Sequence, residues 1–320
     1  MRLYQEKKYL DALDAAIDAS KRFPEDKPKT TFWIACLESR LGNLERAVHV
    51  LRESVQQGVW WPVETLLDSD LDPIRTRSEF SLILAECQRL KQESAKIAKP
   101  ELLVKSPTGP SEAESWPVLV VCHQRYGERP DQTAHEWSPV LRNGVGLAVP
   151  WSSQVYAPDG RCWDNLDIAV RDMAWVHSEL KKHQGIDLDR LVLAGFSQGA
   201  ALAVYVTLKR AFPCRGFIAV APSDWVVPES KRATERDRPS PAFTSFIQAS
   251  SGKGFRGQIF IGESDPFLKK IEFLKDEMVH RGLECEYSVE PKTGHEYPDN
   301  FDSKLAKSLR FVLRETRKGN

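Results

Sequence analysis

The segment with the clearest potential for chemistry is Gly195–Gly199, which reads Gly-Phe-Ser-Gln-Gly. An apolar run with strand character, Arg190–Ala194, precedes it, and an apolar run with helix character, Ala200–Val206, follows it. The pattern Gly-x-Ser-x-Gly forms a nucleophile elbow when it turns sharply from a strand into a helix. Such a turn needs glycines where backbones pack closely, and it places Ser197 at a helix N-terminus that favours negative charge. We predict that Ser197 is a catalytic nucleophile, the alternative being a glycine-rich turn with a solvated serine.

A serine hydroxyl needs a base, and the base needs an acid that orients it. In proteins with this elbow, the acid and the histidine follow the serine in that order. Two histidines follow Ser197: His280 lies late in a charged helical pattern, and His295 lies in a loop before the last helical pattern. We predict His295 as the base, with an exposed loop histidine as the alternative reading. His123 precedes Ser197, so its order in the chain is wrong for a base.

The acid is expected after the apolar run Ile259–Ile261. Asp265 is the preferred residue, because Pro266 can then open the following helix at its first position. Glu263 lies in the same segment and competes for the role, and an N-cap is the structural alternative for Asp265.

Two backbone amides are expected to hold the oxyanion. One is the N–H of Gln198, directly after the serine. The other belongs to the loop that follows the apolar run Val118–Cys122, at Arg125 or Gln124.

Short apolar runs alternate with helical patterns through the last two thirds of the chain, which predicts a doubly wound, mainly parallel sheet of the α/β class. The predicted strands are Val118–Cys122, Val145–Val149, Leu191–Ala194, Phe217–Ala221, Ile259–Ile261 and Glu286–Val289, with Glu101–Lys105 as a further candidate. The predicted helices lie near residues 165–183, 198–211, 267–282 and 301–316.

The first part of the chain is predicted to be helical. Tyr9–Leu13 recurs in similar form at Leu44–Val48, a spacing that resembles the ~34-residue period of the tetratricopeptide repeat. An unrelated small helical hairpin is the alternative. A polar stretch around Lys96 predicts a boundary between a helical segment, residues 1–96, and a catalytic domain, residues 97–320.

Fewer than three repeats rarely form a stable solenoid, so the helical segment is expected to need a partner surface. The candidates are the catalytic domain, a second copy of the chain, or a client peptide. An apolar cluster predicted to need cover comprises Trp60, Trp61, Leu66 and Leu67.

Residues from about 101 onward resemble the α/β-hydrolases of the phospholipase/carboxylesterase (acyl-protein thioesterase-like) and dienelactone-hydrolase-like esterase group. Besides Gly-Phe-Ser-Gln-Gly, the matching segments are Pro150–Gln154, Trp163-Asp164, Asp187–Arg190, Gly262 with Asp265, and Gly294-His295. The resemblance implies a Ser-Asp-His triad, a small-molecule acyl ester as substrate, an acyl-enzyme mechanism, and neither metal nor organic cofactor. Gln124 stands where the group usually has glycine, whose backbone torsions glutamine adopts only at a cost.

The same resemblance places Trp151, Gln154, Trp163 and Trp225 near the acyl pocket, with residues 226–255 as a lid or a plain surface insertion. Thioester or peptide hydrolysis on the same triad is the nearest alternative function. A catalytically weak adaptor that binds peptides through the helical segment is the alternative of another class.

Composition excludes several other classes. The 45 basic and 45 acidic residues give a formal net charge of zero, whereas nucleic-acid and polybasic membrane binders carry a basic surplus. The chain lacks an apolar stretch long enough for a membrane span, and its start lacks a signal-peptide pattern. The six dispersed cysteines form no CxxC pair and suggest free thiols. We therefore expect a cytoplasmic protein.

Overall fold

The chain forms two compact units in a computed structural model that describes residues 2–108, 114–127, 129–227 and 238–315. The first unit comprises Met1–Ala98 together with Val155–Pro158, and the second comprises Lys99–Gln154 and Asp159–Asn320.

The first unit is built from helices. They are α1 (Arg2–Gln5), α2 (Tyr9–Arg22), α3 (Lys27–Arg40), α4 (Leu44–Gln56), α5 (Val63–Leu66) and α6 (Ser78–Ile97), with 3-10 turns at Pro24–Asp26 and Ser69–Ile74. Helix α4 shows why they pack, because Ala47, Val48, Leu51 and Val55 recur at helical spacing and are all buried. The tetratricopeptide interpretation of these helices stays a prediction.

The apolar cluster in this unit differs from the expectation. Trp60, Trp61 and Leu66 are buried in the unit's own core, where Val155 also packs, whereas Leu67 is 49% exposed. The Trp61 indole N–H also donates to the Pro28 carbonyl at 2.8 Å. The argument that this cluster needs a separate partner is therefore wrong.

The second unit is a seven-stranded sheet flanked by helices. Its strands are β1 (Glu101–Lys105), β2 (Trp116–Cys122), β3 (Gly146–Trp151), β6 (Ile186–Phe196), β7 (Gly216–Val220), β8 (Arg256–Gly262) and β9 (Glu284–Glu290), while the short strands β4 (Val155–Ala157) and β5 (Gly160–Arg161) lie outside this sheet. Its helices are α7 (Pro130–Trp137), α8 (Leu166–Leu180), α9 (Gln198–Leu208), α10 (Pro241–Ala249), α11 (Leu268–His280) and α12 (Phe301–Leu313).

The strand order is β1-β3-β2-β6-β7-β8-β9, and every neighbouring pair is parallel except β1 with β3. The predicted doubly wound, mainly parallel α/β sheet is thereby confirmed. Successive residues of β2 enter different cores, since Val118 and Val120 pack on one face and Leu119 and Val121 on the other. Strands covered on both faces explain the apolar runs without alternation.

The sheet places the predicted catalytic residues at the C-terminal end of its strands, because the carboxyl ends of parallel strands lie side by side. Helix α9 is buried along its whole length against β2, β6 and β7, so its N-terminus is held at this end of the sheet. One expected helix start is wrong: α11 begins at Leu268, two residues after Pro266.

Every helix in the described ranges is too short or too polar to cross a lipid bilayer.

Candidate active site

Ser197 lies between the last residue of β6 and the first residue of α9. Its φ is +53° and its ψ is −119°, a conformation that residues other than glycine rarely adopt. The Ser197 N–H donates to the Val220 carbonyl at 3.0 Å, and its carbonyl accepts from the Ser223 N–H at 3.2 Å. The surrounding backbone therefore fixes the strained turn that raises the serine above the sheet.

The glycines around Ser197 allow backbones to touch. A Cβ on Gly199 would lie 2.1 Å from the Cys122 carbonyl oxygen, at the end of β2. A Cβ on Gly195 would lie 2.4 Å from the Gly199 carbonyl carbon. The turn is thus pressed against β2 as closely as the sequence pattern predicts.

Three side chains form a chain of hydrogen bonds at this turn. His295 Nε2 lies 2.9 Å from Ser197 Oγ, and His295 Nδ1 lies 2.8 Å from Asp265 Oδ2. An ionised carboxylate only accepts, so Nδ1 donates to Asp265 and Nε2 is left to accept the serine hydroxyl. The Asp265 carboxylate is fully buried, whereas the imidazole keeps a solvent-facing edge.

The backbone distinguishes Asp265 from its competitor. The second Asp265 oxygen accepts from the Phe267 N–H at 2.8 Å, which holds the carboxylate towards His295 without capping α11. Glu263 is exposed and instead accepts from the Lys292 N–H at 3.0 Å. A Cβ on Gly262 would lie 2.2 Å from the Gly294 carbonyl oxygen, so the loops after β8 and β9 touch here. That contact brings Asp265 and His295 together.

Aromatic rings that sequence reasoning missed surround the imidazole. The Phe196 and Phe267 ring centroids lie 5.2 Å and 5.6 Å from that of His295. Tyr297 stacks on Phe196 at 4.8 Å. Their positions in the sequence could have identified them, since each lies one or two residues from a predicted site residue.

His123 is buried and belongs to the loop after β2. Its Nδ1 donates to the Gln124 carbonyl at 2.7 Å, and its Nε2 accepts from the Ser152 N–H at 3.2 Å. Burial lowers the pKa of His123 to about 4, so the ring is neutral near pH 7. As expected, His123 is not placed to act as a base on Ser197.

The loop after β2 corrects the expectation about Gln124. Among its described non-glycine residues the left-handed conformation is at Tyr126, with φ +61°, and not at Gln124. Gln124 is exposed, so the absence of the group's glycine brings neither left-handed strain nor crowding there. The Arg125 side chain forms an ion pair with Asp164 at 2.9 Å.

Two of the predicted substrate-binding residues are structural supports instead. Trp163 is 0% exposed, and its indole N–H donates to the His123 carbonyl at 2.9 Å. Trp151 is also buried, and its N–H donates to the Gly127 carbonyl at 3.1 Å. These two hydrogen bonds hold the loop after β2 in place. Because both rings are buried, they present no open face to a substrate.

The other two predicted substrate-binding residues differ from each other. The Gln154 amide closes the start of α8 through Asn165, accepting from its N–H at 2.6 Å and donating to its carbonyl at 3.0 Å. Trp225 is partly exposed, packs 4.8 Å from Phe243, and follows Ser223, which binds the Ser197 backbone. Of the four, Trp225 is the one that combines an open surface with a link to the serine turn.

Part of the predicted lid, residues 228–237 of 226–255, lies outside the described residues. Within the described part, α10 buries Phe243 and Ile247 in the core of the second unit.

Among the described residues, one group has the types and spacing of metal ligands: Cys36, Asp68 and Asp70, in the first unit. Asp70 already forms an ion pair with Arg40 at 3.0 Å and accepts from the Tyr4 hydroxyl. Burial raises the pKa of the Cys36 thiol, which disfavours the thiolate that binds metal. We therefore assign no metal to this group.

Comparison with known proteins gives two family matches. Residues 1–96 match the model of the A/B hydrolase-like N-terminal domain, and residues 173–243 match the phospholipase/carboxylesterase model. No curated protein matches the chain.

Solved structures share the fold at low sequence identity. An uncharacterized protein from Bacillus cereus is similar along nearly the whole length, with 21% identity, a TM-score of 0.52, and coverage of 98% of this chain and 96% of that one. Esterase PE8 is similar at 17% identity and a TM-score of 0.52, covering 67% of this chain and 100% of its own. An S-formylglutathione hydrolase from Agrobacterium tumefaciens is similar at 16% identity and a TM-score of 0.51, covering 67% and 91%.

The sheet, the serine turn and the two family matches agree with one another. The chain is an esterase-type hydrolase with the α/β-hydrolase fold, in which residues 1–96 match the A/B hydrolase-like N-terminal domain and residues 173–243 match the phospholipase/carboxylesterase model.

Proposed function

We propose that the protein hydrolyses carboxylic esters through an acyl-enzyme on Ser197, with His295 as general base and Asp265 as its orienting acid. The observation that carries the proposal is the continuous hydrogen-bonded chain from Ser197 Oγ through His295 to the buried Asp265.

The steps follow from these contacts. Ser197 Oγ attacks the ester carbonyl carbon while His295 Nε2 takes the hydroxyl proton, and the carbonyl oxygen becomes an oxyanion. The backbone N–H groups of Gln198 and Arg125 stabilise that charge. The C–O bond to the alcohol then breaks as His295 returns its proton to the leaving oxygen. A water molecule, deprotonated by His295, releases the carboxylic acid and restores Ser197.

The surroundings favour compact or aromatic acyl esters. The imidazole is flanked by Phe196 and Phe267, and Trp225 presents a partly exposed ring near the serine turn. Such rings offer flat apolar contact to a substrate. A small thioester would use the same atoms in the same order, so a thioester belongs in the substrate panel.

We also infer a reducing, cytoplasmic setting. All six cysteines are free thiols. Burial raises the pKa of the Cys122 and Cys285 thiols to about 12, which keeps them protonated and unreactive near neutral pH.

The decisive experiment uses p-nitrophenyl esters of increasing acyl length, an acyl-CoA thioester and a fluorophosphonate probe. We expect ester turnover by the wild type, no turnover by Ser197→Ala, and covalent labelling at Ser197 alone. His295→Ala should abolish turnover, whereas His280→Ala, at the exposed end of α11, should leave it unchanged. Labelling at another residue, or full activity in Ser197→Ala, would contradict the proposal.

A further inference from the structure

The residues that supply the two proposed oxyanion amides are joined through their own side chains. Asp164 Oδ1 accepts from Gln198 Nε2 at 2.7 Å and from Arg125 Nε at 3.1 Å. Asp164 Oδ2 accepts from Arg125 Nη2 at 2.9 Å. One carboxylate therefore holds both residues, although Gln198 begins α9 and Arg125 lies in the loop after β2.

The remaining contacts of Gln198 fix the same arrangement. Its buried side chain accepts from the Trp163 N–H at 3.0 Å and donates to the Val226 carbonyl at 2.7 Å. Trp163 in turn donates to the His123 carbonyl at 2.9 Å, two residues before Arg125. The segment Trp163-Asp164 thus binds the loop after β2 and the start of α9 at once.

The Arg125–Asp164 ion pair contributes little to the stability of the fold. The Arg125 and Asp164 side chains are 31% and 32% exposed, and solvent screens pairs of that exposure strongly. A two-pronged contact between guanidinium and carboxylate does, however, fix orientation. An ion pair that adds little stability but fixes the orientation of Arg125 is suited to aligning the groups around it.

On this basis, and resting on the proposed function, we propose that Asp164 is a positioning residue that clamps Arg125 and Gln198 so that their backbone amides converge on the oxyanion. Within the described residues, the hydrogen bonds of the Asp164 carboxylate go to Arg125 and Gln198, and not to Ser197 or His295. Removal of the clamp leaves the nucleophile and the base intact and misaligns the two donors. Misalignment weakens binding of the transition state more than binding of the ester, because charge develops on that oxygen only in the transition state.

The test measures kcat and KM of the full chain on p-nitrophenyl acetate for Asp164→Asn, Asp164→Ala and Arg125→Met. Loss of one oxyanion donor costs about 10²–10³-fold, so partial misalignment should lower kcat about 10- to 100-fold. KM should stay within about twofold, and the affinity for a trifluoromethyl ketone, whose adduct carries the oxyanion, should fall by a similar factor to kcat. The apparent pKa in the pH profile of kcat/KM should not move, because His295 and Asp265 keep their contacts.

Two controls separate alignment from folding. The exposed Arg142–Asp302 pair, at 2.8 Å in the same unit, provides the matched variant Asp302→Asn, which should leave kcat unchanged. The double variant Arg125→Met/Asp164→Ala should be no slower than the slower single variant, because both break the same clamp.

Unchanged kcat in Asp164→Asn and Asp164→Ala would overturn the clamp while the wild-type activity and its loss in Ser197→Ala leave the proposed function standing. Losses that multiply in the double variant, or that follow a fall in melting temperature, would also overturn it. A wild type that hydrolyses none of the esters and takes no label at Ser197 would overturn both proposals.

Discussion

At the scale of single residues, the site depends on which of two neighbouring carboxylates faces the imidazole. Asp265 and Glu263 are two positions apart, yet one is buried against His295 and the other is exposed beside Lys292. The difference arises in the backbone, because the Phe267 N–H holds the Asp265 carboxylate in place.

We expect Asp265→Asn to lower kcat/KM by about 10³–10⁴-fold, since an amide in place of the orienting carboxylate favours the wrong tautomer of the base. Glu263→Gln is the matched change and should stay within about threefold, because its exposed side chain accepts from the Lys292 N–H and not from His295. Initial rates on p-nitrophenyl acetate check both. A larger loss in Glu263→Gln would move the acid to Glu263.

His123 should make the protein sensitive to acid. Its folded pKa of about 4 lies below the ~6.5 of an unfolded histidine, so between these values the unfolded state binds a proton that the folded state refuses. The contribution of neutral His123 to the free energy of unfolding is fully present above about pH 6.5 and is lost as the pH falls towards 4. The loss is about 2–3 kcal/mol at pH 4.5.

Urea unfolding at pH 7 and pH 4.5 measures this effect. His123→Gln should lose about 2–3 kcal/mol less between the two pH values than the wild type does. Burial raises the pKa of Asp172, whose contribution runs the other way but is present in both proteins. Equal losses in wild type and His123→Gln would contradict the assignment, and His280→Gln, on the surface, serves as the control.

Which residues meet was predictable from the sequence where chain order and a turn motif constrain them, as for Ser197, His295 and Asp265. The roles of Trp151 and Trp163 were not, because a tryptophan near a site either lines a pocket or donates its N–H to a buried carbonyl. Only the path of the loop after β2, which supplies the His123 and Gly127 carbonyls, decides between these. Glu263 illustrates the same limit.

At the scale of elements, the strand–turn–helix unit of β6 and α9 controls the site. Helices α7 and α10 were absent from the sequence prediction, since both are short and begin with a proline. Helix α10 also follows a stretch rich in proline, serine and charge, which resembles a loop. The long strands and helices were predictable because their apolar runs and helical periods extend over several turns or residue pairs.

Gly199→Ala should disrupt this unit. The added methyl would lie 2.1 Å from the Cys122 carbonyl and 2.5 Å from that of His123, and neither backbone group can move aside as a side chain would. We expect a loss of about 1–3 kcal/mol or more, with activity at least ~10-fold lower because the loop after β2 is displaced.

The matched change is Gly144→Ala, at a left-handed φ of +70° with no atom within 4 Å of the new methyl. It should cost only about 1–2 kcal/mol of backbone strain and leave kcat unchanged. Circular dichroism melts and ester turnover separate the two variants. Equal behaviour would show that contact with β2 does not limit residue 199.

At the scale of the whole molecule, the two units are not consecutive in sequence. Val155–Pro158 belongs to the helical unit although it follows β3, and Val155 is buried among that unit's core residues. The expected boundary near Lys96 therefore describes the chain's first crossing between units and omits this later segment.

Val155→Ala in the full chain should lower the free energy of unfolding by about 1–2.5 kcal/mol, because it removes buried methyl groups and leaves a cavity. Val289→Ala, at a position 41% exposed, is the matched control and should change it by less than ~0.5 kcal/mol. Urea titration measures both. Equal effects would show that Val155 contributes nothing to the helical core.

A chain that begins at Ile97 should be less stable or aggregate, because it lacks the helices that cover Val155, yet it should still label at Ser197 whenever it folds. An unchanged melting temperature would indicate that the helical segment is an independent module. That result would favour the adaptor reading and a partner outside the chain.

The late position of Val155–Pro158 also bears on how the protein is made. A ribosome releases the six helices of the first unit well before it reaches residue 155, so their shared core lacks one of its side chains throughout that interval. N-terminal domains commonly fold first during synthesis. Here the helical unit is not complete when its last helix has been translated, and its core lacks Val155 until β3 and the residues that follow it have emerged.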